Sequence, residues 1–132
     1  MAYLSAEQAV STFLYDNWTD TPVCYPNGTE PDLEGKTHWV RVYVFQSTSD
    51  TTLSSDNRVT DQGLIYFDVV GERGTGTGTH TELCQKLAKL FQAQYINGVS
   101  MQNAAITPVQ GYDAEGRFVK RVTCEYVCDY EY

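Results

Sequence analysis

Residues 63–91 read GLIYFDVVGERGTGTGTHTELCQKLAKLF, a succession typical of a strand, a flexible loop and a helix. The segment 64–70 is rich in β-branched and aromatic residues, and both of its alternating faces are apolar. We therefore predict a central strand there. The segment 71–78 holds four glycines in eight residues, which makes an ordered conformation entropically costly, so we predict a loop.

A helix is expected directly after this loop. Thr79, followed three residues later by Glu82, forms a capping box, in which the hydroxyl and the carboxylate satisfy backbone donors at a helix start. The apolar residues beyond it recur at i, i+4, i+7 and i+8, and they are Leu83, Leu87, Leu90 and Phe91. This spacing predicts an amphipathic helix that packs on a sheet.

The first 45 residues predict a helix, an edge segment and a strand. A second capping box at residues 5–8 opens a helix that should end near Asn17. Three prolines between residues 20 and 36 favour an extended edge segment over a paired central strand. Residues 38–45 alternate, and the valine face suits the core; it consists of Val40, Val42 and Val44.

Residues 46–62 are dominated by Ser, Thr, Asp and Asn, and we predict a polar arm loop there. Loops longer than about 12 to 15 residues in a compact domain are usually functional or disordered. A contact arm and a solvated hairpin tip are equally compatible with this composition.

The last third of the chain predicts two more strands. Residues 99–109 form a less regular extended stretch, residues 111–116 form a turn, and residues 118–130 alternate between apolar and polar side chains. The predicted fold class is α+β: an antiparallel or mixed β-sheet of about four strands with two helices packed on one face. We expect a single domain over residues 1–132.

Composition excludes several classes of protein. The chain has 132 residues, 42% of them hydrophobic, which is enough for a real core. Its formal net charge of -8 is opposite to that of a protein that grips nucleic-acid phosphates. No apolar run approaches the ~20 residues needed to cross a bilayer, so no membrane partner is expected. The four cysteines have no CxxC spacing, and we expect reduced thiols in a cytosol.

No pattern of catalytic or ligand-binding residues stands out. The glycine loop ends in Gly78-Thr79-His80 and lacks the lysine of a Walker loop, so a flexible crossover is the better interpretation. His38 and His80 are expected to be a strand-end and a helix-cap histidine, and no metal or cofactor is predicted. Asp68 lies in an apolar strand and should form a structural ion pair with Arg41 or Arg121.

The order of these segments resembles a known family. The chain runs from Thr21-Pro22-Val23 through the strand 35–42, a polar loop, the strand 63–69 and the glycine-rich 74–76 to a helix with LAKLF at 87–91 and a late strand at 116–119. This succession resembles the tail terminator (tail completion, minor tail protein U-like) family of long-tailed bacteriophages. Many members carry a longer aromatic strand after the last turn, whereas here Gly116 precedes Arg117-Phe118.

The resemblance implies a structural virion protein and not an enzyme. Members form a ring, usually hexameric, on the head-proximal end of the tail tube, where the ring stops tube growth and receives the head-tail connector. The implied partners are further copies of the chain, the tail tube protein and a connector protein, and DNA passes through the ring without specific binding. Assembly would take place in the cytoplasm of a bacterial host. No cofactor is implied.

Loop position suggests which residues contact the neighbouring subunit or the tail. We predict that Arg58 on the arm and Arg73 on the glycine loop pair with acidic residues of adjacent subunits. The other predicted interface residues are Glu72, Asp56 and Leu53. Excess acid is expected to line the channel, so that passing DNA is repelled.

Three alternatives remain open from sequence alone. One is a head-tail connector or neck protein, which also forms a ring and has a similar size. An anion- or nucleotide-binding enzyme could use the Gly-Thr loop, because a helix N-terminus presents free backbone N–H groups. A carbohydrate-binding module would account for the aromatic residues and for the sequons at residues 17–19 and 27–29.

Overall fold

The computed structural model describes residues 2–25, 37–51, 58–72, 78–96, 99–112 and 116–131. Within these ranges the chain forms two helices and six strands. In chain order they are α1 (Ala2–Asn17), β1 (Val23–Cys24), β2 (His38–Thr51), β3 (Arg58–Gly71), α2 (Gly78–Phe91), β4 (Tyr95–Ile96), β5 (Val99–Tyr112) and β6 (Phe118–Glu131).

The mixed α+β class is confirmed, but the expected count of about four strands is too low for the described residues. The two additional strands, β1 and β4, are two residues long, so they are too short to carry a hydrophobic period. All six belong to one sheet, with the order β1-β2-β3-β6-β5-β4. β1 pairs with β2 in parallel and the other pairings are antiparallel, so the sheet is mixed.

The predicted central strand is confirmed. β3 lies between β2 and β6, and its backbone pairs with β6 from Arg58↔Glu131 to Gly71↔Phe118. Because two long neighbours flank it, both of its edges are hydrogen-bonded and both of its faces can be buried. This explains why residues 64–70 are apolar on alternate sides.

The polar segment 46–62 differs from the predicted loop. β2 and β3 remain paired as far as Thr51↔Val59, with one register shift between Gln46 and Thr48. Residues 46–51 and 58–62 are therefore strand, and the hairpin tip at 52–57 lies outside the described residues. A polar strand has no hydrophobic alternation to reveal it, yet its backbone still forms sheet hydrogen bonds with its neighbours.

Both helices pack against one face of this sheet. Val40 and Val42 of β2 and Ile65, Phe67 and Val69 of β3 form a single core with α1 and α2, as predicted. On α2, Leu83, Leu87 and Phe91 are buried, whereas Leu90 is only partly buried. The core side of β6 consists of Val122, Cys124, Tyr126 and Cys128. The opposite face of the sheet has no helix among the described residues.

Candidate functional site

The predicted interface residues are not brought together by the described part of the fold. Arg58 begins β3, and its backbone pairs with Glu131 of β6. Glu72 directly follows β3; its side chain is exposed, and its backbone N–H donates to the Thr37 carbonyl at 3.0 Å. Arg73, Asp56 and Leu53 lie outside the described residues. The assignment of these five residues to an interface therefore stays a prediction.

The structure exposes a different surface, the side of the sheet that faces away from the helices. We call it the open face and define it by Tyr43, Phe45, Tyr66 and Arg121. Tyr43 is 41% exposed and Phe45 is 49% exposed, although both lie in the middle of a long strand. The ring centroids of Tyr43 and Phe45 are 6.3 Å apart, and those of Phe45 and Tyr66 are 5.1 Å apart. These contacts make one continuous aromatic strip across β2 and β3.

An ion pair lies beside this aromatic strip. The Arg121 guanidinium donates from Nε to Asp68 Oδ1 at 2.6 Å and from its terminal nitrogen to Oδ2 at 3.0 Å, in bidentate geometry. The hydrogen bond to Asp68 raises the pKa of Arg121, which keeps the guanidinium charged. Asp68 is buried, so the predicted structural ion pair is confirmed, with Arg121 as the partner.

Arginine side chains contact aromatic rings on this side of the sheet. The Arg121 guanidinium carbon lies 4.2 Å from the centroid of the Tyr66 ring, a cation–π contact. Arg41 is the β2 residue opposite Asp68, and Arg117 lies 5.1 Å from the Trp39 ring centroid. Arg121 thus lies over a ring of the aromatic strip, whereas Arg117 lies over the buried ring of Trp39.

One end of the open face is closed by the chain itself. Trp39 is 4% exposed and packs with Cys24, Val70 and partly buried Val119. Cys24 belongs to β1, so this strand of the predicted edge segment covers Trp39. Tyr43 has no such cover. Burial of Trp39 is therefore intramolecular, and the exposed aromatic surface begins four residues further along β2, at Tyr43.

The outward side of α1 carries an exposed aromatic ring. Tyr15 is 75% exposed, and the exposed carboxylates of Glu7 and Asp16 lie on either side of it around the helix. The helix contains no lysine or arginine. The structure therefore presents the ring of Tyr15 on the outward side of α1, opposite the open face, with Glu7 and Asp16 on opposite flanks of the helix.

The rings of the two histidines are in contact, although the residues are far apart in the sequence. The rings of His38 and His80 are 4.7 Å apart in an edge-to-face arrangement. His80 is fully buried and its Nε2 lies 3.1 Å from the Phe118 carbonyl, which can only accept, so Nε2 carries a proton. His80 lies in the first turn of α2, as predicted, and it is buried because that turn packs onto the end of β3 and the start of β6.

The close approach of these rings depends on a glycine. A Cβ at position 71 would lie 2.5 Å from the ring of His80 and 2.7 Å from that of His38. Both distances are shorter than van der Waals contact, so no side chain can be added without moving a ring. The last glycine of β3 thus holds the strand end, the start of α2 and the start of β2 together.

Acid is expected to weaken the fold through His38. Burial, and secondarily the neighbouring His80, lower the pKa of His38 below 6.5, while Glu72 opposes this shift. The unfolded chain then binds more protons as the pH falls through 6.5, so the free energy of unfolding should fall between about pH 7 and pH 5. Urea titrations at several pH values measure this slope.

A matched variant isolates the contribution of His38 from that of the carboxylates. His38→Gln keeps a polar side chain of similar size but does not titrate, so its stability should fall less steeply over the same pH interval. Equal slopes for the two proteins would show that protonation of His38 is not linked to folding.

The cleft beside these histidines is poorly suited to an anion. It encloses about 610 Å³ and is lined by the start of α2 and by the segment after α1, including Asp20 and Glu82. Lys86 Nζ lies 2.8 Å from Asp20 and 3.9 Å from Glu82, so this cation is already paired. Two carboxylates beside a helix N-terminus repel a phosphate, which argues against the nucleotide-binding alternative.

The described residues show neither a metal-binding arrangement nor an activated thiol. No group of three or more His, Cys, Asp or Glu side chains converges there as metal ligands would. The four cysteines are buried thiols, and burial raises the pKa of Cys84 to about 11 and that of Cys124 to about 12. Thiols with such pKa values are protonated and unreactive at neutral pH.

Within the described ranges, neither helix has the length and apolar content that crossing a membrane requires.

Comparisons with known proteins agree with this fold. A family model described as phage tail terminator protein matches residues 5–124. One solved structure with 15% sequence identity superposes with a TM-score of 0.66, covering 98% of this chain and 94% of that chain. At this identity the superposition shows the fold alone. No curated protein matches the chain in sequence.

Proposed function

Because the chain belongs to the phage tail terminator family, whose model matches residues 5–124, we propose that it forms a ring that caps the head-proximal end of the tail tube. Membership makes it a component of a phage tail. The ring, its position and its partners are the proposed part. The resemblance recognised in the sequence and the family match agree on the structural class of protein, which is not an enzymatic one.

The observation that supports a ring is the pairing of two unlike surfaces on one subunit. The open face presents the aromatic strip of Tyr43, Phe45 and Tyr66, whereas the outward side of α1 presents the exposed ring of Tyr15. A closed ring is built from heterologous contacts, in which one patch meets a different patch on the neighbour. A subunit with two unlike exposed aromatic surfaces on opposite sides offers the kind of surfaces that such a contact uses.

A ring of this kind terminates the tail by occupying the growing end. Once it is bound, the next layer of tube subunits has no surface on which to add, and the outer side of the ring is left for the head connector. The net charge of -8 is compatible with a channel through which DNA passes without sticking. The hairpin of β2 and β3 and the segment after β3, with Arg58, Glu72 and Arg73, remain proposed contacts to the tube or to neighbouring subunits.

Deleting the gene from the phage that carries it tests this function. We expect tails of abnormal length that are not joined to heads, and plasmid expression of the chain should restore both length and joining. Tail lengths are measured in negatively stained electron micrographs, with the parental phage as the reference.

Two other outcomes would contradict tube termination. Tails of normal length that fail to join heads would assign the chain to the connector side of the junction. Normal virions would mean that the chain has no essential part in tail assembly.

A further inference from the structure

β5 is a long strand near one end of the sheet, and a two-residue strand covers only the start of its outer edge. β5 has 14 residues, whereas β4 pairs with Val99 and Ser100 alone in the described part of the chain. The outer edge of a strand presents N–H and C=O groups with which a strand of another chain can pair. The groups that occupy the rest of this edge therefore control whether the sheet can be extended.

The turn that follows α2 occupies two more donors of this edge. The chain reverses at Ala93, whose φ of 55° lies in the left-handed region. The carbonyl of Gln94 then accepts the N–H of Met101 at 2.7 Å. The side-chain Oε1 of Gln92 accepts the N–H of Ala104 at 2.8 Å. Both N–H groups therefore point away from β6, and neither is available to an added strand.

The pairing of β5 with β6 is irregular. It shifts in register between Met101 and Ala104 and again between Ile106 and Gln110. Pro108 lies within the second shift and has no backbone N–H to donate. Bulges and prolines make an edge strand a poor template for a strand of another chain.

We propose that the turn at residues 92–96 caps the outer edge of β5 and prevents a strand of a second copy of this chain from adding there, and that the cap depends on the Gln92 side chain. The inference concerns an edge of the sheet and not its open face. It goes beyond the proposed function and does not depend on the proposed ring.

The strand that the cap excludes is β2 of the second copy. At the other end of the sheet, β1 pairs with Val40 and Arg41 of β2, and no further strand lies on that side of β2 among the described residues. Pairing of β2 in one copy with β5 in the next would join unlike edges, so the contact would be heterologous and could repeat without limit. Closing the edge of β5 prevents such serial addition even where β2 is accessible.

A glutamine at the end of a helix suits this role. The backbone N–H of Gln92 donates to the Ala88 carbonyl at 2.9 Å, so the last turn of α2 still holds its backbone. Its side-chain amide carries the same carbonyl acceptor as the backbone of a pairing strand. It can therefore satisfy the N–H of Ala104 without presenting a strand edge of its own. An aliphatic side chain would leave that N–H to solvent or to a second copy.

Hydrogen exchange and self-association of the purified chain test the cap. In Gln92→Ala the amide of Ala104 loses its acceptor, and its exchange followed by NMR should be roughly fivefold faster than in the parent, the effect of one net hydrogen bond. The double variant Gln92→Ala/Pro108→Val also restores a backbone N–H in β5. We expect it to form β-rich assemblies whose mass rises with protein concentration. Light scattering measures their mass, and thioflavin T fluorescence reports their β-sheet content.

Two matched variants separate loss of the acceptor from loss of a surface glutamine. Gln102 is also exposed and lies on β5, but its side-chain nitrogen donates to the Ser100 hydroxyl at 3.1 Å. Gln102→Ala, alone or with Pro108→Val, should leave the exchange of Ala104 unchanged and produce no large assemblies. Gln92→Glu keeps an acceptor oxygen and should behave as the parent does. Circular dichroism establishes that each variant is folded.

Three results would overturn the cap. They are unchanged exchange at Ala104 in Gln92→Ala, a double variant with the same mass as the parent at every concentration, and assemblies of equal size from the Gln102→Ala controls. None of these results bears on tail termination, which the gene deletion tests separately.

Discussion

Phe91→Ala is expected to lower the free energy of unfolding by about 3–5 kcal/mol. The Phe91 side chain is fully buried at the C-terminal end of α2. Its ring stacks on that of Phe67, with centroids 4.6 Å apart, and lies 5.3 Å from that of Phe13. It therefore joins α1, α2 and the central strand, and its truncation would leave a cavity bordered by three elements.

This effect is a large fraction of the stability of a domain of this size. Total stabilities are about 5–15 kcal/mol, so the variant should melt roughly 10–20 °C lower than the parent. Thermal unfolding followed by circular dichroism gives the shift. Tyr95→Ala is the control, since that ring is 75% exposed and its removal should change the melting temperature little. A shift of equal size in both variants would contradict the assigned role of Phe91.

Gly63→Ala is expected to cost about 3 kcal/mol, the upper part of the range for overpacked sites. A Cβ at this position would overlap the backbone carbonyl oxygen of Phe45 and lie 2.6 Å from the ring of Tyr126. A side-chain end can rotate away, but a carbonyl within a paired strand cannot. The β2–β3 pairing must separate locally, next to the register shift at Gln46.

A second glycine provides the matched control for this substitution. Gly111 also lies in a long strand, paired with Val119, and a Cβ there would meet nothing within 4 Å. Gly111→Ala should be neutral or slightly stabilising, because alanine reduces the entropy of the unfolded chain. Urea unfolding of both variants measures the difference. If the two substitutions had the same effect, the tight approach between Gly63 and Phe45 would be contradicted.

The sequence predicted which side chains lie on the candidate contact surface, but it did not predict that this surface is exposed. Alternation in residues 38–45 placed Tyr43 and Phe45 on the side opposite the valines, and the structure confirms that separation. It did not reveal that this side lacks a covering helix, because α1 and α2 both pack on the valine face. Arg58, Arg73, Asp56, Leu53 and Glu72 were instead chosen by loop position, a weaker criterion that says nothing of three-dimensional proximity.

Local periodicity by itself determined the two helices, the apolar halves of β2 and β3 with their core side, and the core side of β6. Hydrophobic spacing is a property of neighbouring residues, so it survives in any tertiary arrangement. It located the stripe of α2, the buried strand 64–70 and the two-faced strand β6. It also reduced the partners of Asp68 to two arginines, since a buried carboxylate requires a cation on an adjacent strand.

Strand pairing and helix placement decided the remaining features. The register between β3 and β6 brought Arg121 onto Asp68, and the docking of α2 brought His80 against His38. Residues 46–51 are polar but form part of β2, because their backbone pairs with β3 in the sheet. No pattern of neighbouring residues predicts these contacts, because each one depends on which distant segment of the chain packs against the residue in the folded protein. The aromatic open face exists for the same reason, since both helices pack on the other side of the sheet.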